Sequence, residues 1–201
     1  MGVNIPMYYN ITTYTLKAED ETYYVAITGL KLINYSVNEL LDEIMSIEKK
    51  NQVHIIVLRA RYIFSTLPLI TSIRHALLSF KRGRNIARKF PIEVMLYLSG
   101  RRQIHEAIAL FAPKESDKDV VLCVLSRSPS KARTILTTLI GKYGRVFNIA
   151  EDLHSRLDDI LNAYGISKEE LENTRVSVCE DVYTLLLKCV LTRIAIRSIM
   201  K

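Results

Sequence analysis

Three short apolar runs set the frame for this chain: Val53–Leu58, Glu93–Leu98 and Val120–Leu125. Each is six residues long, a strand's length rather than a helix's, and the first and third are rich in β-branched residues. Such runs read as buried strands, because a strand with water on one side would alternate apolar with polar. Between them the apolar spacing changes to a period near 3.6, so helices interleave with strands. The expected fold class is α/β in the α+β sense. One domain over residues 1–201 would hold a mixed, mainly antiparallel sheet, flanked by helices and ending in a long apolar C-terminal helix.

Tyr8–Leu16 and Thr22–Thr28 predict a hairpin around the polar turn Lys17–Glu21. Ser36 caps a helix over Val37–Lys49, with Glu39 in its first turn and Leu40, Leu41, Ile44 and Ile47 on its apolar face. Thr66 caps a longer helix with Pro68 in its first turn. Its apolar positions are Leu69, Ile73, Ala76, Phe80 and Ala87. Arg74, Lys81 and Arg88, beside Arg82 and Lys89, form a cationic set roughly 150° away. If this helix continues through Gly83 the set is one stripe; if Gly83 ends it, the stripe splits. Arg101–Leu110 reads as a helix, Ser128 or Ser130 caps another that runs to Lys142, and Ile149–Tyr164 is stopped by Gly165. Ser167–Glu170 has capping-box spacing. The last helix, from about Glu180 to Met200, is apolar round most of its circumference. Its second side is covered either by the chain's own elements or by another protein.

The 28 Lys and Arg against 21 Asp and Glu give a net charge of +7. Residues 1–72 are net −1 and residues 106–201 net +1, while the 33 residues 73–105 alone are net +7. A surplus confined to one stretch is either a footprint for an anionic partner or a solvated face with none.

Other chemistry lacks its marks. Gly141-Lys142 has no glycine five residues upstream, so no phosphate-cradling loop is present. His54, His75, His105 and His154 stand at no metal-ligand spacing. His105 and Glu106 are adjacent and point apart on a helix. Cys123, Cys179 and Cys189 form no CxxC and an odd count, which suits a reducing, cytoplasmic setting. Lys188, Arg193 and Arg197 interrupt Leu185–Ile199, so no span of ~18 unbroken apolar residues exists. No catalytic residue, cofactor, metal or membrane partner is expected.

From Arg84 to Ile108 a specific pattern emerges. Glu93 opens the apolar Glu93–Tyr97; then come Leu98-Ser99-Gly100, Arg102-Gln103-Ile104 and Ala107. Ala76, Phe80, Gly83 and Ala87 precede it, and Tyr164–Leu171 leads into the terminal helix. The combination resembles the TPRKB-type kinase-binding subunit of the KEOPS complex, across roughly residues 53–125 and 164–199. Residues 126–163 are longer and more helical than in that family's compact members, and Arg101 stands where a small polar residue is common.

The resemblance implies a non-catalytic adaptor. KEOPS adds a threonylcarbamoyl group to an adenosine beside the tRNA anticodon. The implied partners are the small atypical kinase, through it the catalytic threonylcarbamoyltransferase subunit, and tRNA held at its single-stranded 3′ end. Arg74, Lys81, Arg82, Arg84, Arg88, Lys89, Arg101, Arg102 and Gln103 are the expected RNA-binding residues, although Gln103 serves equally well to hold the preceding loop. Phe90 or Tyr97 is either a stacking platform or core. Leu186, Val190, Ile194 and Arg197 are the expected kinase contacts. Two rivals remain open. One is a free-standing RNA-binding protein whose terminal helix is covered by its own chain. The other is a small enzyme assembled around His105, Glu106 and a distant residue.

Overall fold

The computed structural model describes residues 10–199, so Tyr8, Tyr9 and Met200 of the expected elements lie outside it. β1 (Thr12–Ala18) and β2 (Glu21–Leu32) form the hairpin, turning at Glu19 and Asp20. α1 (Val37–Asn51) and β3 (His54–Arg59) follow, then a 3-10 turn (Ala60–Tyr62) and α2 (Thr66–Lys81). Next come α3 (Phe90–Ser99), α4 (Ile104–Phe111), β4 (Asp119–Ser126) and α5 (Pro129–Tyr143). β5 (Gly144–Phe147), α6 (Leu153–Tyr164), α7 (Lys168–Asn173) and α8 (Val182–Ile199) complete the chain.

The strand order is β1-β2-β4-β3, with β5 also paired to β2, and these pairings are antiparallel. β2 serves two neighbours on one edge: β1 lies along Glu21–Ile27 and β5 along Gly29–Leu32. Two glycines permit the β5 contact. A Cβ on Gly144 would lie 1.8 Å from the Lys31 carbonyl oxygen, and one on Gly29 would lie 2.8 Å from the Phe147 ring.

α1 and α5 cover one face of the sheet over Ala26, Leu30, Ile55, Val57, Leu122 and Val124. α2, α3, α6 and α8 cover the other over Val25, Ile27, Ile56, Leu58, Val121 and Cys123. Successive side chains of Val120–Leu125 therefore enter different cores, which explains the absence of polar alternation.

The middle apolar run corrects the reading of three strands: Glu93–Leu98 is helical, inside α3. Pro91 in the first turn and Gly100 at the C-cap, with φ +66°, bound a helix whose residues Glu93–Ser99 are all buried. Burial on every side erases the period that separates helix from strand. The α2 helix also stops early. Gly83 has φ +62° and the Arg84 amide donates to the Ser79 carbonyl (2.8 Å), so the stripe splits and Arg88 leaves the helix. Ser65, one residue before Thr66, supplies its cap.

Candidate nucleic-acid interface and partner helix

The cationic segment is organised by one buried carboxyl group. Residues 82–89 link α2 to α3, and Glu93 in the first turn of α3 is fully buried beneath them. One Glu93 oxygen accepts from the Ile86 amide (2.9 Å) and the Ala87 amide (2.8 Å); the other accepts from the Ser79 hydroxyl on α2 (3.2 Å). The turn is thus fastened to both helices, and Arg84, Arg88 and Lys89 are displayed on it, all exposed.

The expected RNA-binding residues divide into groups. Arg74, Arg88, Lys89 and Arg102 are exposed, and among the described residues none of the four has a carboxylate within 4.0 Å. Lys81 and Arg82 are instead engaged by the hairpin turn. Lys81 meets Asp20 (3.2 Å) and Glu21 (2.7 Å), and Arg82 meets Glu19 (2.9 Å). The Lys81 hydrogen bond holds the Glu21 carboxyl below its ordinary range, and Glu21 in turn raises Lys81. Arg101 lies 3.9 Å from Glu106, and its carbonyl accepts from Arg197 Nε (2.9 Å). Gln103 is exposed and caps α4 through its backbone alone.

A cleft of ≈ 220 Å³ opens beside the turn, lined by His75, Leu78, Ser79, Arg82, Arg84, Tyr97 and Ser198. His75 stacks on Tyr97 with centroids 5.4 Å apart, and the Arg197 guanidinium lies 5.5 Å from the same ring. Arg197 Nη2 is buried and has no hydrogen-bond partner. The two aromatic candidates prove to be core. Phe90 packs between His54 (4.6 Å) and Phe80 (5.6 Å), and Tyr97 is 3% exposed, because α3 is enclosed on all sides. His75 is the ring that reaches toward the cleft from α2.

The terminal helix requires a correction too. Leu186, Val190 and Ile194 are fully buried and Arg197 nearly so, packed in the layer with α2 and α3. A partner cannot reach them while α8 stays docked. The outer stripe carries Lys188, Thr192, Ala195, Ile196 and Ile199, with Ile196 48% and Ile199 79% exposed. Arg193, between the two sides, is bidentate to Glu170 at 2.6 and 2.8 Å and ties α8 to α7. Sequence periodicity could not choose between the sides because apolar residues recur on both.

Among the described residues no three His, Cys, Asp or Glu side chains converge as a metal site, and no helix is long and apolar enough to cross a membrane. Sequence reasoning also missed the acidic hairpin turn. Glu19, Asp20 and Glu21 lie roughly sixty residues before Lys81 and Arg82, at a separation only tertiary structure closes.

The geometry combines a cationic turn on a fixed mount with a terminal helix whose outer stripe ends in the exposed Ile196 and Ile199. The family model for the kinase-binding protein CGI-121 matches residues 33–198, and the chain belongs to that family. The match runs through residues 126–163 as well. The regulatory protein Cgi121 of Methanocaldococcus jannaschii is 29% identical over 92 residues, which are 45% of this chain. The aligned part spans 61% of that relative's length.

Proposed function

We propose that this kinase-binding protein is a cytoplasmic, non-catalytic adaptor of the KEOPS tRNA-modifying complex. It docks the small atypical kinase, and through it the catalytic threonylcarbamoyltransferase subunit. It draws in tRNA by the single-stranded 3′ end. Membership of the CGI-121 family supports the kinase half. The tRNA half rests on one observation: the exposed Arg84, Arg88 and Lys89 sit on a turn that Glu93 fixes, and Arg84 lines a cleft that His75 also lines. Cations for phosphates next to a ring for a base is what a single strand requires. The kinase contact is assigned to the outer stripe of α8.

The test is calorimetric titration with the KEOPS kinase. Wild type should bind saturably near one to one. Ile196→Glu should lose binding while keeping its melting temperature, whereas Ile194→Asp should cost a few kcal/mol of stability because it buries a charge. A wild type that shows no heat at high micromolar concentration overturns the adaptor reading. Arg88→Glu/Arg102→Glu should weaken single-stranded RNA binding and flatten its salt dependence. The self-covered inner side of α8 is what the free-standing RNA-binding rival expects, whereas the exposed Ile196 and Ile199 and the kinase-binding family count against it. The rival predicts tight RNA binding and no kinase heat.

A further inference from the structure

A second cleft, of ≈ 530 Å³, opens where β3 begins and β4 ends. Tyr23 of β2, Asn51 and Gln52 at the end of α1, His54 of β3, and Arg127 and Lys131 at the β4–α5 junction line it. These residues are remote in sequence from the cationic segment and adjacent to it in space. Phe90, which follows Lys89, stacks on His54 at 4.6 Å and 25°. Glu21 pairs with both Lys81 of α2 and Arg127. Lys89 is close enough to the last turn of α1 to bear on the Glu48 carboxyl.

The charge balance of this region is positive. Its carboxylates are Glu21, divided between Lys81 and Arg127, Asp20, which shares Lys81, and Glu48, which accepts from the Ile55 amide at 2.7 Å. Lys131 meets only a neutral oxygen, the Asn51 carbonyl at 3.2 Å, and Arg127 is 70% exposed. An acidic peptide would meet the cations and bond the amides through its backbone, but it brings no flat ring to stack on His54. A nucleotide uses all three: phosphate on the cations, the base against a ring, its edge on the amides. The cleft volume suits a ligand of nucleotide size.

We propose that this cleft is a second single-stranded RNA subsite, continuous with the turn at residues 82–89, in which Arg127 and Lys131 hold backbone phosphate and His54 and the exposed Gln52 receive a base, beside Asn51, whose side-chain amide already donates to the Ile47 carbonyl (3.0 Å). The proposal extends the RNA reading above and rests on it.

The test is fluorescence anisotropy with a labelled single-stranded RNA of about 12 nucleotides, within the span such surfaces cover, titrated over a salt series. Arg127→Gln/Lys131→Gln should bind several-fold more weakly, and its log affinity against log salt should flatten by about 1.4, or 0.7 for each lost contact. Arg127→Lys/Lys131→Arg, which keeps both charges, should bind as wild type. Unchanged affinity and slope in the Gln pair, with Arg88→Glu/Arg102→Glu still weakened, overturns this subsite and leaves the RNA reading standing. A wild type that binds no RNA, or binds polyglutamate equally well, overturns both.

Discussion

Glu93 offers the sharpest test of how this chain presents its charge. Glu93→Ala removes the acceptor for the Ser79 hydroxyl and for the Ile86 and Ala87 amides. Ile86 is 47% exposed, so water can reach that region, while Ser79 and Ala87 are buried. The Ala87 amide is then left buried without its acceptor, so the loss should be about 1–3 kcal/mol. That is a large share of the roughly 5–15 kcal/mol that holds a domain together. Glu93→Gln keeps one acceptor oxygen and should lose about half as much. Urea unfolding of wild type and both variants gives the order, and hydrogen exchange at Ile86 and Ala87 reports the turn directly. RNA affinity adds a readout whose sign is informative. Removing a negative charge should by itself strengthen anion binding. If Glu93 positions the turn, RNA binding weakens despite the gained positive charge. An alanine variant that loses less than about 1 kcal/mol and binds RNA more tightly refutes the reasoning.

Three further expectations follow from named contacts. Gly144→Ala places a methyl group against the Lys31 carbonyl and should break the β5–β2 pairing, seen as a midpoint shift in urea and lost amide protection at Leu32; an unchanged midpoint rejects the steric argument. Neutralising the hairpin turn with Glu19→Gln, Asp20→Asn and Glu21→Gln releases Lys81, Arg82 and Arg127, so RNA should bind more tightly with steeper salt dependence; equal affinity would show that these cations take no part. The Arg193 hydrogen bond holds the Glu170 carboxyl below its ordinary 4.5, so its stabilising effect is present above that pH and is lost as pH falls through the lowered value. Glu170→Gln should therefore flatten the acid limb of the stability profile by under about 1 kcal/mol, the pair being partly exposed, and an identical limb would exclude the coupling.

Much of the architecture was legible because local chemistry and tertiary structure agreed. Ser36 and Glu39 form the full reciprocal cap that their spacing announced, with the Ser36 amide 2.7 Å from the Glu39 carboxylate. Ser128 caps α5 and Gly165 ends α6 as read. At Ser167 the spacing told half the story: its hydroxyl accepts from the Glu170 amide, but the Glu170 side chain turns away to Arg193. The misreadings of α3 and α8 share one cause. In α3 and α8 apolar residues occur on every side, and pattern reading depends on contrast between sides. β5 was invisible for a different reason. Gly144–Phe147 is four residues long and becomes a strand only because β2 has unpaired edge left beside it.

The segment that carried the family resemblance can now be read physically, residue by residue. Ser99 donates to the Leu96 carbonyl and accepts from the Arg101 amide, closing the end of α3. Gly100 takes a left-handed conformation, and a Cβ there would press on Arg193 Cβ at 3.3 Å, so α8 packs directly on this corner. Arg197 reaches back from α8 to the Arg101 carbonyl, and Gln103 begins α4, whose Ala107 is fully buried. Most of the motif is therefore the joint where three helices meet. Within the 98–104 stretch, Arg102 is the cation that is both exposed and without a carboxylate partner among the described residues. The joint explains why α8 must be apolar on its inner side, and it places the cationic turn, the Arg102 corner and the outer edge of α8 on one rigid frame. A kinase docked on that edge would then hold any RNA bound to the turn in a fixed orientation, without a catalytic residue from this chain.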